Sequence, residues 1–116
     1  MGPLTGCDEA VARLTASVAG YGLGVELDDI VERRRGSANA AFARQIAMYL
    51  CHVAFELSLA RIARAFRRDR STVAHACHVI EDRRDEPTFD AWVAALEGMV
   101  REAPAPARGS FEPEAR

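Results

Sequence analysis

Apolar residues recur along this chain at helical spacing, and glycine, proline and short polar clusters punctuate the runs. Val11, Leu14, Thr15 and Val18 form a stripe that predicts a first helix over about 8–19, capped by Asp8 or Thr5. Gly20, Gly22 and Gly24 then end it and make a loop. Leu27, Ile30 and Val31 point inward from a short helix over about 27–35, which runs into the basic loop Arg33, Arg34, Arg35, Gly36, Ser37. Phe42, Ile46, Tyr49, Leu50 and Val53 predict a long helix over about 39–56. Ser58 suits the N-cap of a further helix with Leu59, Ile62, Ala63 and Phe66 on one face. Arg67, Arg68 and Asp69 break that pattern, and a second helix starts near Asp69 to Thr72 and buries Val73, Ala76, Cys77 and Ile80. Pro87 breaks the chain again, and Thr88 caps a last helix over about 89–101 with Phe89, Trp92, Val93, Leu96 and Val100 along one side.

Nothing alternates with the period of a strand, and no Asn-Gly or Asp-Gly hairpin occurs, so the class is all-α. The 116 residues make one small helical bundle over 1–102. The tail, 103–116, is rich in proline, glycine and serine and is expected to be flexible. Two short helices joined by a tight turn, over about 58–84, form a helix-turn-helix whose second helix opens with small polar and basic residues. That is the arrangement of a DNA-recognition unit.

Charge sharpens this. The chain carries a net −2, yet residues 33–84 hold eleven arginines against four acids, a local +7, and the remainder carries −9. A phosphate-binding surface needs local rather than global positive charge. All fifteen basic residues are arginine. A GC-rich genome accounts for the missing lysines, but not for the segregation of charge.

Three linked segments then carry a family resemblance: ARQIAMYL (43–50), SLARIARAF (58–66) and RDRSTVAHAC (68–77). In order and spacing they resemble the C-terminal DNA-binding domain, domain IV, of the bacterial chromosomal replication initiator DnaA. The resemblance covers about residues 25–84 and implies the DnaA domain IV-like fold, with an extra C-terminal helix. It also implies double-stranded DNA as partner, bound by a monomer.

What the resemblance implies for single residues is as follows. Arg68, Asp69, Arg70, Ser71 and Thr72 occupy the turn and the first turn of the recognition helix, the end that enters the major groove. The family's Asp-His-Thr-Thr reads Asp69, Arg70, Ser71, Thr72 here, and its two glycines are replaced by a shorter, charged turn, Arg67–Arg68. A changed target preference follows. Asp69 is expected both to cap the helix and to keep one carboxylate oxygen for DNA. Arg44 and Gln45 match an Arg-Gln pair whose arginine reaches DNA. Amides at Ser58, Leu59 and Ala60 face a phosphate, as a helix N-terminus favours an anion. The family's minor-groove arginine aligns with Gly36; Arg35, one residue off, can substitute for it in the minor groove because Gly36 permits a different backbone path, and some of Arg33, Arg34 and Arg35 contact phosphate; a solvated charge run is the alternative. His75 lies a turn beyond Ser71 and makes a minor contact or stays internal. His52 either neighbours a phosphate or is a plain surface histidine.

Other chemistries find little support. Cys51, His52, His75, Cys77 and His78 lack the spacing of a zinc finger or ribbon, so no metal or other cofactor is expected. No glycine-rich phosphate loop, carboxylate dyad or nucleophile with a base suggests an enzyme, or a small-molecule substrate. The chain lacks an initiator's ATPase. No apolar run spans a membrane, and a lipoprotein-like box at Leu4 to Cys7 lacks the flanks of a signal peptide. The three cysteines read as reduced thiols of a cytoplasmic, nucleoid-associated protein. The leading expectation is a stand-alone, sequence-specific transcription regulator, an activator partnered by RNA polymerase or a co-regulator through Trp92 and Met99 or the first helix. A looser resemblance to activators of gene transfer agents points the same way. The alternatives are a replication modulator that competes with the full initiator, and a protein-interaction adaptor.

Overall fold

A computed structural model describes residues 6–31 and 37–103. They form six helices: α1 (Gly6–Leu23), α2 (Leu27–Val31), α3 (Ala38–Phe55), α4 (Leu59–Phe66), α5 (Arg70–Arg83) and α6 (Pro87–Glu102). There is no strand among the described residues.

The central element is α3, whose buried residues Ile46, Met48, Tyr49 and Leu50 span most of its circumference, as expected of a helix packed on several sides. α1 lies along it, and α4, α5 and α6 close around the rest. Small residues permit the tight α1–α3 seam: Ala12, Ala16 and Ala19 on one helix, Ala43 and Ala47 on the other, all buried. Thr15 sits there too. Its hydroxyl donates to the Ala12 carbonyl at 3.0 Å, and its oxygen lies 3.3 Å from the Cys51 sulfur. Because the one hydroxyl proton is committed, the thiol is the donor in the second contact.

Both flanking helices therefore belong to the bundle. α1 runs four residues past the expected end, straight through Gly20 and Gly22, and turns only at Gly24, where φ is +69°. The first two glycines serve packing rather than termination. A Cβ on Gly20 would stand 2.4 Å from the Val25 carbonyl oxygen, where the chain folds back and Val25 N–H bonds to Gly20 at 2.9 Å. A Cβ on Gly22 would stand 3.0 Å from the Trp92 ring.

One cap differs from expectation, and at another one of the two candidates is excluded. Asp8 is inside α1 and nearly fully buried, with its carboxylate held by Arg61 of α4; Thr5 lies outside the described residues. At α6 the cap is Glu86, accepting from the amides of Phe89 at 2.8 Å and Thr88 at 3.3 Å. Pro87 begins that helix instead of breaking it, since the first helical position needs no N–H. The expected cap at Ser58 is formed as a side-chain acceptor to Arg61, and Ser37, expected only as the end of the basic loop, caps α3 in the same way, accepting from Ala40. The expected continuation of α2 to residue 35 and the tail beyond 103 fall outside the described residues.

Candidate nucleic-acid interface

α4, the turn 67–69 and α5 make the helix-turn-helix. α5 is two-faced. Val73, Ala76 and Ile80 recur every three or four residues and are buried. On the opposite face Ser71, His75 and His78 point outward, with Arg70 and Thr72 at its edges, and all five are exposed. At 3.6 residues per turn this follows from sequence spacing alone. The three apolar residues anchor the helix, so the polar ones must face away from the bundle.

Asp69 occupies the N-cap of α5 with extended backbone, and its carbonyl accepts the first helical bond from Val73 at 3.1 Å. Its carboxylate, however, makes no capping bond. The expectation that one oxygen caps while the other reads DNA is corrected: the side chain is turned outward and neither oxygen caps.

The turn is built by two arginines with structural tasks of their own. Arg67 closes α4 in the left-handed region, φ 59° and ψ 48°, where glycine is the usual residue. It lines a groove of about 280 Å³ with Glu9, Arg13 and Asp28, on the α1 and α2 side of the turn. Arg68 is half-buried and its Nη1 donates to the carbonyls of Phe66 at 3.0 Å and Arg67 at 3.3 Å, satisfying groups at the helix end.

A second set of expected contacts lies along α3 and at the start of α4. The Arg44 guanidinium crosses to α2, with Nε donating to the Ile30 carbonyl at 2.8 Å and Nη2 to Asp29 at 3.4 Å. It thus caps the C-terminus of α2, and its burial lowers its pKa. Gln45 beside it is half-buried. At α4, Ser58 Oγ accepts from Arg61 N–H, so the Leu59 and Ala60 amides are left without an intrahelical acceptor. His52 Nδ1 lies 3.0 Å from the Leu57 carbonyl; a carbonyl only accepts, so this nitrogen carries the proton. Arg34 and Arg35, with Arg33 and Gly36, lie outside the described residues.

Sequence reasoning missed a polar cluster at the far end of α5. Arg84 donates from Nε to Asp90 Oδ1 at 2.5 Å, and from Nη1 to Tyr49 Oη and Glu97 Oε1, both at 3.1 Å. Burial works to lower its pKa, but the bonds to Asp90, Tyr49 and Glu97 outweigh that and raise it. Tyr49 in turn donates to Glu81 at 2.6 Å. Next to this, the Arg83 guanidinium stacks over Phe89 at 4.3 Å and Phe42 at 4.9 Å. Only the Glu97–Arg101 pair, one helical turn apart, has a spacing that the sequence displays. The other partners come from three different helices.

The family model for the bacterial dnaA protein helix-turn-helix matches residues 11–80, more than half of the chain. The chain belongs to that family. The match includes most of α1, beyond the span of about 25–84 that the three sequence segments imply. Chromosomal replication initiator DnaA from Desulfotalea psychrophila is 34% identical over 104 residues, covering 88% of this chain and 22% of that relative. The initiator from Aquifex aeolicus is 40% identical over 82 residues, 69% of this chain and 20% of its own length. The chain thus spans about a fifth of the length of these relatives. Among solved structures, a DNA replication initiation factor superposes with a TM-score of 0.72 at 31% identity, over 82% of this chain and 29% of the other. A replication initiator DnaA bound to AMPPCP and single-stranded DNA gives 0.70 at 30% identity, over 81% and 28%.

Proposed function

We propose that this chain is a sequence-specific, double-stranded DNA-binding protein that acts as a transcription regulator, an activator in the first instance. The observation that carries the DNA-binding part is the exposed face of α5, Arg70, Ser71, Thr72 and His75, held outward by the buried Val73, Ala76 and Ile80. A helix presented this way offers hydroxyls, an imidazole and a guanidinium to base edges in a major groove. The α4 amides at Leu59 and Ala60 supply the accompanying phosphate site. Arg44 and Gln45, about two turns into α3 and beside α2, add a further contact. Arg34 and Arg35, which precede α3 in the sequence, add phosphate or minor-groove contact.

The regulatory part rests on how the reading positions differ from the initiator pattern. Arg70 and Ser71 replace His and Thr, and an arginine turn replaces glycines. A protein that competed for the initiator's own sites would keep the initiator's readers. Neither a metal nor any other cofactor has a part in this mechanism, and neither does catalysis. RNA polymerase or a co-regulator would be the protein partner, in the cytoplasm at the nucleoid; control of gene transfer agents is one programme that fits.

The second reading, a replication modulator, is favoured by the initiator relatives at 34% and 40% identity. Immunoprecipitation of the tagged protein from its host, with sequencing of bound DNA, separates the two. Enrichment at a few promoters with a motif of their own supports the regulator. Enrichment at the replication origin and initiator sites replaces it with the modulator. No enrichment, together with no selection of any duplex from a random pool in vitro, rejects DNA binding and leaves an adaptor.

A further inference from the structure

We propose that Arg84 is a positioning residue for DNA readout: it sets the roll and register of α5 from the end opposite the DNA-facing residues, using α3 and α6 as its two fixed points. The inference rests on the DNA-binding reading above. Arg84 lies fourteen residues from Arg70, roughly 20 Å along the helix, so it touches no base read by the first turn.

The geometry is that of a two-sided tie. Tyr49 belongs to α3, and Asp90 and Glu97 belong to α6; one guanidinium bonds to all three. The Arg84 and Glu97 side chains are only 18% and 19% exposed, so this is not an ion pair dissolved in water. Two of the three acceptors are themselves held. Tyr49 Oη donates to Glu81 on α5, and Glu97 also accepts from Arg101, whose Nη2 reaches the Val53 carbonyl at 3.1 Å. Arg83, stacked on Phe89 and Phe42, resists the same motion. At the other end of α5 the Asp69 carboxylate makes no capping bond, so that end has packing but no polar cap of its own.

A helix seated on three apolar residues can roll slightly at small cost, because its contacts are not directional. A roll of about 10° moves a side-chain tip at the helix radius by roughly 1 Å. That is enough to spoil hydrogen bonds to base edges, while phosphate attraction is barely changed. Arg84 and its α6 partners lie beyond the family match at residues 11–80.

The test uses the full chain and a duplex taken by selection from a random pool, beside a scrambled duplex of equal length. Tyr49→Phe removes one hydroxyl and leaves the net charge unchanged; Arg84→Lys keeps the charge and loses the fork; Arg84→Gln loses both. The expected result is a loss of about tenfold in affinity for the selected duplex in Arg84→Gln, near the worth of one good base contact. A smaller loss is expected in the other two, with the scrambled duplex and the salt slope unchanged in Tyr49→Phe. Circular dichroism at the binding temperature restricts the comparison to folded protein. Equal losses on both duplexes, or none in folded Tyr49→Phe and Arg84→Lys, overturn the inference and leave the DNA-binding reading standing. A wild-type chain that does not distinguish the duplexes overturns both.

Discussion

Asp8 and Arg61 meet across 53 residues of sequence, Oδ2 to Nε at 3.0 Å and Oδ1 to Nη2 at 2.5 Å. The carboxylate is buried on α1 while the guanidinium side chain is 43% exposed on α4. The pair fastens the N-terminal helix to the first helix of the helix-turn-helix, and it neutralises an arginine just behind the α4 N-terminus. Asp8→Asn should lower stability by about 1–3 kcal/mol, because the buried carboxamide cannot accept both bonds. The same change frees the Arg61 charge, so affinity for non-specific duplex should hold or rise. Urea unfolding and titration of a scrambled duplex check the two signs together; a parallel fall in both would show that α1 docking itself supports DNA binding.

Arg67 holds φ at 59° with an ordinary side chain. Left-handed backbone costs such a residue about 1–2 kcal/mol, and glycine avoids the cost while losing more unfolded-state entropy. Arg67→Gly should therefore stabilise the fold by about 0.5–1 kcal/mol. If Arg67 also serves DNA, the variant should be more stable and bind every duplex less well, with a shallower salt dependence. A chain destabilised by the change would instead show that Arg67's contacts outweigh its backbone strain.

How much of this was legible beforehand divides by the range of the interactions involved. The helices themselves, the reading face of α5 and the cap at Ser58 follow from spacing within one or two turns, and they stood in the sequence. Gly20 and Gly22 did not, because a glycine demanded by a neighbour looks the same in sequence as one that ends a helix. Only Val25 and Trp92 in place distinguish the cases. Arg44 was expected at DNA, yet here it caps α2, a contact fourteen residues away that no local pattern announces. The same holds for Arg84, whose three partners lie on two other helices. Arginines were the easiest residues to count and the hardest to assign, since a long side chain serves whichever acceptor the fold brings within reach.

Cys51 and Cys77 lie where thiolates are disfavoured. Burial pushes the Cys51 thiol up to about 12 and the half-buried Cys77 up to about 11. The nucleophile is the thiolate, so both should resist alkylation at neutral pH while exposed Cys7 reacts. The linked stability has a definite sign. A folded pKa raised above the unfolded value near 9 means that the folded state keeps its protons longer. That contribution is fully present below about pH 9 and is lost as pH rises towards 11 and 12. Tyr49, raised to about 12 first by burial and then by its bond to Glu81, adds to the same alkaline loss. Mass-resolved alkylation and denaturation between pH 8 and 11 test this; early labelling of Cys51 would show that the α1–α3 seam opens.

Arg44 and Thr72 should fail in different ways. Thr72 is exposed at the start of α5 and has no part in the core, so Thr72→Ala should leave stability within about 0.5 kcal/mol. It should weaken the selected duplex by about 1–3 kcal/mol, the value of a base contact, and the scrambled duplex hardly at all. Arg44 has two attachments to α2 through Nε and Nη2, while Nη1 has no partner among the described residues and can meet a phosphate. Arg44→Ala should weaken both duplexes alike, reduce the salt slope by about one, and cost some stability through the uncapped end of α2. Arg44→Lys restores the charge but not the fork that spans Asp29 and Ile30. It should recover the salt slope without recovering stability. A lysine variant that recovered stability and not the slope would mean that Arg44 belongs to the fold alone, and that the phosphate contact must be sought at the α4 amides.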